Sequence, residues 1–156
     1  MIPAGCFVEA AEPLDVAELL ELERLCFSHP WTARHFVDSM SDPPRRRVIV
    51  VRRAQGREPP PVVAYAVVRL AAGELQIDNV AVHPDWRRHG LGRWMMDLVL
   101  ERGRRQGAEE AILEVRRGNR AARQLYESLG FRLLDTRRDY YQDPVEDALV
   151  MRKQLP

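Results

Sequence analysis

Between Pro13 and Phe27 the apolar residues Leu14, Val16, Leu19, Leu20, Leu22, Leu25 and Cys26 recur at helical spacing, with Asp15, Glu18, Glu21 and Glu23 on the remaining faces. That is the pattern of an amphipathic helix. Pro30 breaks it, because proline disfavours helix at the residue before it, and Trp31 is left in a connection. Thr32 then stands as the cap of a second helix reaching about Met40. The run RRVIVVRR at 46–53 reads as a short strand, and the proline-rich loop 54–61 cannot join a ladder. Residues 62–70 and 75–82 form a hairpin around the turn AAGE. Leu91 to Arg105 read as a helix ending near Gly107, and 108–117 are β-rich. A further helix starts at Asn119, its cap, and stops before Gly130. Residues 131–138 and 146–153 alternate like two closing strands. The predicted order is βααβββαβαββ in one domain over residues 1–156, with no internal repeat, low-complexity tract or linker.

The stretch HPDWRRHGLGR at residues 83–93 is the most informative interruption, because it joins a strand to a helix through two glycines and three arginines. One reading is a plain turn whose glycines supply positive φ. A dinucleotide fingerprint would place its third glycine at Met95, where no small residue stands, and a P-loop would need a Gly-Lys-Ser/Thr that does not follow. The remaining reading is a pyrophosphate cradle. Gly90 and Gly92 would let backbone approach an anion, and the amides from His89 to Arg93 would point at it beside the positive end of the next helix. A ligand held there would lay its tail along the strand IDNVAV at 77–82, a geometry that suits coenzyme A.

Charge makes any such preference local. Lys and Arg total 24 against 23 Asp and Glu, a formal charge of +1, so no global field invites nucleic acid or a membrane surface. The arginine-rich runs at 43–53 and 85–94 are separated, which argues further against nucleic acid. Cys6 and Cys26 are too few for a disulfide framework, and no run of eighteen apolar residues is present, so the expectation is a cytoplasmic protein outside the membrane. His29, His35, His83 and His89 lack metal-ligand spacing, and no metal is expected.

NVAVHPDWRRHGLGRWMMDLV resembles the central motif of the GNAT superfamily of N-acetyltransferases, with Arg87, Gly90 and Gly92 matching its Arg/Gln-x-x-Gly-x-Gly/Ala pattern. Within that superfamily CFSHPW, LEVRRGNRAARQLYESLGF and RRDYYQDPVEDALVM resemble the RimI group, which acetylates the N-terminal amine of a small-subunit ribosomal protein. The resemblance runs from the first helix to Met151 and implies an α/β GNAT fold, a mixed central β-sheet flanked by helices, with acetyl-CoA as co-substrate. It implies that Val80, Ala81, Val82, Arg87, Arg88, His89, Gly90, Leu91, Gly92, Arg93 and Asn119 hold that co-substrate. Gly118 stands where many relatives carry serine, a departure next to Asn119.

Acetyl transfer from a thioester to an amine needs a base for the amine and a proton for the departing thiolate. Glu114 interrupts the apolar run AILEV and shares a strand face with Ile112 and Arg116. By spacing alone it is an ion-pair partner for Arg116; the resemblance makes it the general base. Tyr126 lies on a helical face with Ala122, Leu125 and Leu129, the place of a core aromatic. The resemblance makes it the general acid, protonated at neutral pH because a free phenol titrates near about 10, and able to donate to a thiolate of about 8.5. An α-amine is roughly 14% neutral at pH 7 and a lysine roughly 0.04%, which favours a chain terminus as acceptor. Trp31, Tyr140 and Tyr141 border the peptide site in the resembling group; on their own they are packing aromatics. Glu146 and Asp147 are candidates to pair with Arg137 or Arg138, or to attract basic residues of the substrate. The expected assembly is a monomer. Two alternatives stay open: a GNAT enzyme for lysine, a polyamine or an aminoglycoside, and a non-catalytic acyl-CoA-binding module.

Overall fold

The computed structural model describes residues 2–156. Strand β1 spans Cys6–Ala10, helices α1 and α2 span Val16–Cys26 and Ala33–Ser39, and strands β2, β3 and β4 span Arg46–Arg53, Val62–Ala71 and Glu74–Val82. Helix α3 spans Leu91–Arg105, strand β5 Glu110–Arg116, helix α4 Arg120–Ser128, and strands β6 and β7 Arg132–Tyr141 and Glu146–Gln154. The order is the predicted one. Residues 13–15 form a 3-10 turn ahead of α1 rather than its first turn, and β6 runs three residues past the expected 138 to take in both Tyr140 and Tyr141.

The strands form one seven-stranded sheet in the order β1-β2-β3-β4-β5-β7-β6, antiparallel throughout except between β4 and β5. Alternation along β2 and β3 fills both faces. Val48, Val50, Tyr65 and Val67 meet Leu19, Leu22 and Phe36 of α1 and α2, while Ile49, Val51, Ala64 and Ala66 meet Leu91, Met95, Met96 and Val99 of α3. Helix α3 lies so close to β4 that a Cβ on Gly103 would stand 2.7 Å from Leu75.

The one parallel pair is short. Residues Glu74–Ile77 of β4 pair with Glu110–Leu113 of β5, and no pairing continues beyond. The reason is a bulge: Val67 of β3 faces Asn79 and the next residue, Val68, faces Ile77, so Asp78 is extra and bends β4. Past that bend residues 79–82 keep β3 on one edge and leave the other without a strand.

Side-chain placement departs from the simple pattern in several positions. Leu14 and Leu25 face solvent, at 91% and 58% exposure. Three of the four acids placed on the remaining faces of α1 turn inward: Asp15 and Glu18 accept hydrogen bonds from Arg52, as does Glu9 of β1, and Glu23 is buried. Buried Arg52 supplies the charge that draws the first two in, because its guanidinium must be paired where water is absent. Strand β6 is an edge strand and shows no buried face, with Leu133 and Leu134 both exposed.

Candidate active site

Where β4 and β5 separate, a cavity of about 540 Å³ opens. Glu23, Asn79 and Val80 line it from the α1 and β4 side, and Glu114, Asn119 and Tyr126 from the β5 and α4 side. A second depression of about 490 Å³ shares Trp31, Ile77, Asp78, Glu114 and Tyr141 with it and adds Tyr140. Glu114 is thus reachable from both hollows. His29 Nε2 and Asp143 Oδ2 meet at 2.7 Å, tying the α1–α2 connection to the β6–β7 loop. Arg116 fastens the same loop from β5 by donating to the carbonyls of Gln142 at 3.2 Å and Pro144 at 3.3 Å.

Glu114 sits on β5 because the strand alternates: Ala111, Leu113 and Val115 enter the core and Glu114 faces the opening. Its ionic partner is Arg137 of β6, at 3.3 Å, and not Arg116 two residues along its own strand. Arg116 turns instead to Glu146, at 3.4 Å, and stands over the Tyr141 ring. Glu146 and Asp147 therefore pair with Arg116 and Arg117 rather than with Arg137 or Arg138, because the β5–β7 ladder sets Arg116 opposite Ala148 and brings those acids alongside. The Glu114 carboxylate is the leading cause that raises the Tyr140 hydroxyl above its ordinary pKa. Tyr141 is pushed up to about 12, chiefly by burial and then by Glu114.

Tyr126 is buried against Phe131, with ring centroids 5.9 Å apart. Burial first, and Tyr141 second, push its pKa up to about 12, so it is a neutral hydroxyl across the physiological range. Asn119 caps α4 by accepting from the Ala122 amide at 3.2 Å. Gly118 donates its amide to Glu146, and a Cβ there would stand 2.5 Å from that carboxylate, so this loop has no room for a side chain at 118 without moving Glu146.

The glycine turn lies beyond the cavity, at the end of β4. Gly90 takes a left-handed conformation, φ 77°, and offers α3 no side-chain cap. The α3 ladder begins with the Trp94 amide on the Gly90 carbonyl at 3.0 Å, which leaves the amides of Leu91, Gly92 and Arg93 ahead of it. Gly92 is helical and lies close to Val82 and Leu125. Two of the arginines are already engaged: Arg87 donates to the Val82 carbonyl at 3.1 Å and Arg93 to Ser128 Oγ at 2.8 Å. Arg88, itself at φ 63°, and His89 are exposed, His89 beside the Trp86 ring.

Residues 16–131 match the model of the acetyltransferase (GNAT) family. The chain belongs to that family. It is 31% identical over 146 residues, 92% of its own length and 94% of the relative's, to the [ribosomal protein bS18]-alanine N-acetyltransferase of Escherichia coli (strain K12). The protein of the same name in Salmonella typhimurium (strain LT2) is 32% identical over 139 residues, 88% of this chain and 89% of that one. The crystal structure of the ribosomal-protein-S18-alanine N-acetyltransferase from Escherichia coli superimposes with a TM-score of 0.84 at 30% identity, covering 96% of this chain and 94% of that one. Ard1 from Thermoplasma volcanium shares the fold, with a TM-score of 0.87 at 24% identity over 98% and 99% of the two chains.

GNAT acetyltransferases take their acetyl group from acetyl-CoA, and the residues present fit that donor. The free edge of β4 offers backbone groups to an amide-bearing arm, and the uncapped first turn of α3 offers amides to a pyrophosphate. A Cβ on Gly90 would meet nothing within 4 Å, so that turn is open. Among the sequence candidates, the cavity gathers Trp31, Val80, Glu114, Asn119, Tyr126 and Tyr141; Tyr140 borders the neighbouring depression, and Ala81, Val82 and the turn 87–93 lie outside both. Among the described residues no group of three His, Cys, Asp or Glu side chains could hold a metal ion, and no helix is long and apolar enough to cross a membrane.

Glu23 was missed. Its carboxylate accepts from the Trp31 amide at 3.0 Å, from Asn79 Nδ2 at 3.0 Å and from the Tyr65 hydroxyl, and burial raises its pKa. The signal was present: Glu23 lies four residues after Leu19 and three before Cys26, in the middle of the apolar stripe.

Proposed function

We propose that this GNAT enzyme acetylates the N-terminal α-amine of a protein, with the N-terminal alanine of a small-subunit ribosomal protein as its acceptor, acting as a cytoplasmic monomer. The observation that carries the reading is that a carboxylate and a neutral phenol, Glu114 and Tyr126, line one cavity at the split between β4 and β5. Identity of 31% to an alanine N-acetyltransferase over nearly the whole chain supports the choice of acceptor. Acetyl-CoA would supply the acetyl group as a thioester, whose C–S bond breaks as the amine's C–N bond forms, so that coenzyme A leaves as a thiolate.

Glu114 takes a proton from the attacking amine, directly or through a water, and Arg137 holds the carboxylate toward the opening. Tyr126 gives its proton to the thiolate. Its pKa, pushed up to about 12 by burial, keeps that proton on the oxygen until the thiolate forms. Asn119 keeps the α4 terminus in place and borders the donor arm. Trp31, Tyr140 and Tyr141 wall the acceptor chain, and the turn 87–93 takes the pyrophosphate.

The test is thiol release from acetyl-CoA with a peptide bearing a free N-terminal alanine and a matched peptide whose only amine is on lysine, for wild type and Glu114→Gln. Turnover on the free terminus, lost in the variant, is expected. Turnover on lysine alone would overturn the acceptor, and acetyl-CoA binding without turnover on any amine would overturn the activity.

A further inference from the structure

Glu23 and Arg52 are the charged residues that are buried among the described residues, and they are satisfied in opposite ways. Arg52 has carboxylates around it. Glu23, 1% exposed, is held by neutral donors: the Trp31 amide, Asn79 Nδ2 and the Tyr65 hydroxyl. A buried carboxylate without a cation costs stability, and its neighbours on the helix stripe, Leu19, Leu22 and Cys26, show that the position suits an apolar side chain. Stability alone therefore does not account for an acid here.

Its donors come from separate parts of the fold. Trp31 lies in the connection between α1 and α2, Tyr65 in β3, and Asn79 in β4 immediately after the bulged Asp78. Trp31 and Asn79 both line the cavity; the connection is irregular and, among the described residues, tied across the cleft only through His29 and Asp143, and β4 has no strand partner toward β5 past Ile77. One carboxylate is thus the link that sets the spacing between them. Remove it and the half-buried Trp31 amide loses its acceptor while Asn79 Nδ2 keeps only the Tyr65 hydroxyl at 3.3 Å, so the bridge between the two segments is lost and they are free to move apart.

We infer that Glu23 is a positioning residue of the acceptor site: by pinning the Trp31 connection to the bent half of β4 it sets acceptor binding, and it leaves proton transfer to Glu114. The inference rests on the acceptor site assigned above. It adds a residue on the wall opposite Glu114, one that needs no contact with the reacting atoms.

Steady-state kinetics with the N-terminal alanine peptide and acetyl-CoA test it, alongside amide hydrogen exchange, in wild type, Glu23→Ala, Glu23→Gln and Tyr65→Phe. Glu23→Ala is expected to raise the peptide KM by at least about tenfold, while kcat, its pH profile and the acetyl-CoA KM stay within about twofold. Exchange at the Trp31 amide is expected to quicken in the same variant. Glu23→Gln keeps an oxygen for that amide and is expected to recover most of the peptide KM. Tyr65→Phe keeps the ring and loses the hydroxyl that donates to Glu23 and accepts from Asn79 Nδ2, so it falls between the two and carries the test if Glu23→Ala does not fold. A lowered Tm with an unchanged peptide KM in both Glu23→Ala and Tyr65→Phe would overturn the inference. So would a collapse of kcat in Glu23→Gln as deep as in Glu23→Ala, since that is the mark of a base. A wild type that acetylates lysine peptides alone overturns only the N-terminal acceptor, and the same KM split on the lysine peptide then decides the role of Glu23.

Discussion

Two glutamates line the same cavity from opposite walls, in surroundings that differ in solvent access and in partner charge. Glu114 stands on β5 with about a third of its side chain exposed, paired with an arginine that is itself half in water. It has room to exchange protons. Glu23 is sealed on α1 among neutral donors, and burial raises its pKa. It is suited to hold backbone and poorly suited to turn over. On the proposed reading one residue type in one cleft takes two roles, because solvent access and partner charge decide what a carboxylate does.

The largest effect that would break this division is at Glu114. Replacing it with Gln is expected to lower kcat/KM for the N-terminal peptide by about a hundredfold or more while acetyl-CoA still binds; isothermal titration beside the kinetics separates the two, and a loss below about threefold would move the base elsewhere. Tyr126→Phe on the same wall is expected to cost about tenfold or more in kcat. Because the phenol is pushed up to about 12, the wild-type rate should show no alkaline limb from Tyr126 up to about pH 10. An alkaline limb that vanishes in the Phe variant would contradict this.

On the opposite wall the readout is stability against pH. The folded pKa of Glu23 lies above its unfolded value near 4.5, so the stability it contributes is fully present below that value and is lost as pH rises through the raised folded pKa. Glu23→Gln has no such slope. Urea unfolding from about pH 4 to about pH 8 should therefore show Gln gaining on wild type as pH rises, then a constant gap; parallel curves would show that the buried carboxyl is not the titrating group. The smallest effect is at Arg137. Its ion pair with Glu114 is too exposed to be worth more than about 1 kcal/mol, and Arg137→Gln should shift the urea midpoint by no more than that, with the shift shrinking in salt.

Strand and helix order was legible because the periods are local: Val48, Ile49, Val50 and Val51 announce a strand buried on both faces, and Asn119 announces the start of α4. The neighbourhood of Glu114, Tyr126 and Asn119 was legible through the motif that carries them. The partners of the charges were not. Arg116 looked like the partner of Glu114 by spacing, yet Arg137, from the far side of β7, reaches it, because strand order puts β6 outside β7 and the long guanidinium crosses over. Glu23 stands on the apolar stripe of α1, but spacing along the helix does not reveal the donors that await it there.

By itself the sequence determined the elements, their order and the family to which they belong, since hydrophobic period, caps and a glycine turn are properties of neighbouring residues. Only the tertiary structure decided that β4 bends at Asp78, that the bend opens a cavity against β5, and that Glu23 closes one wall of it. Those facts depend on groups tens of residues apart meeting in a space that excludes water. There the energy of a charge is set by what surrounds it, which spacing along a chain does not encode.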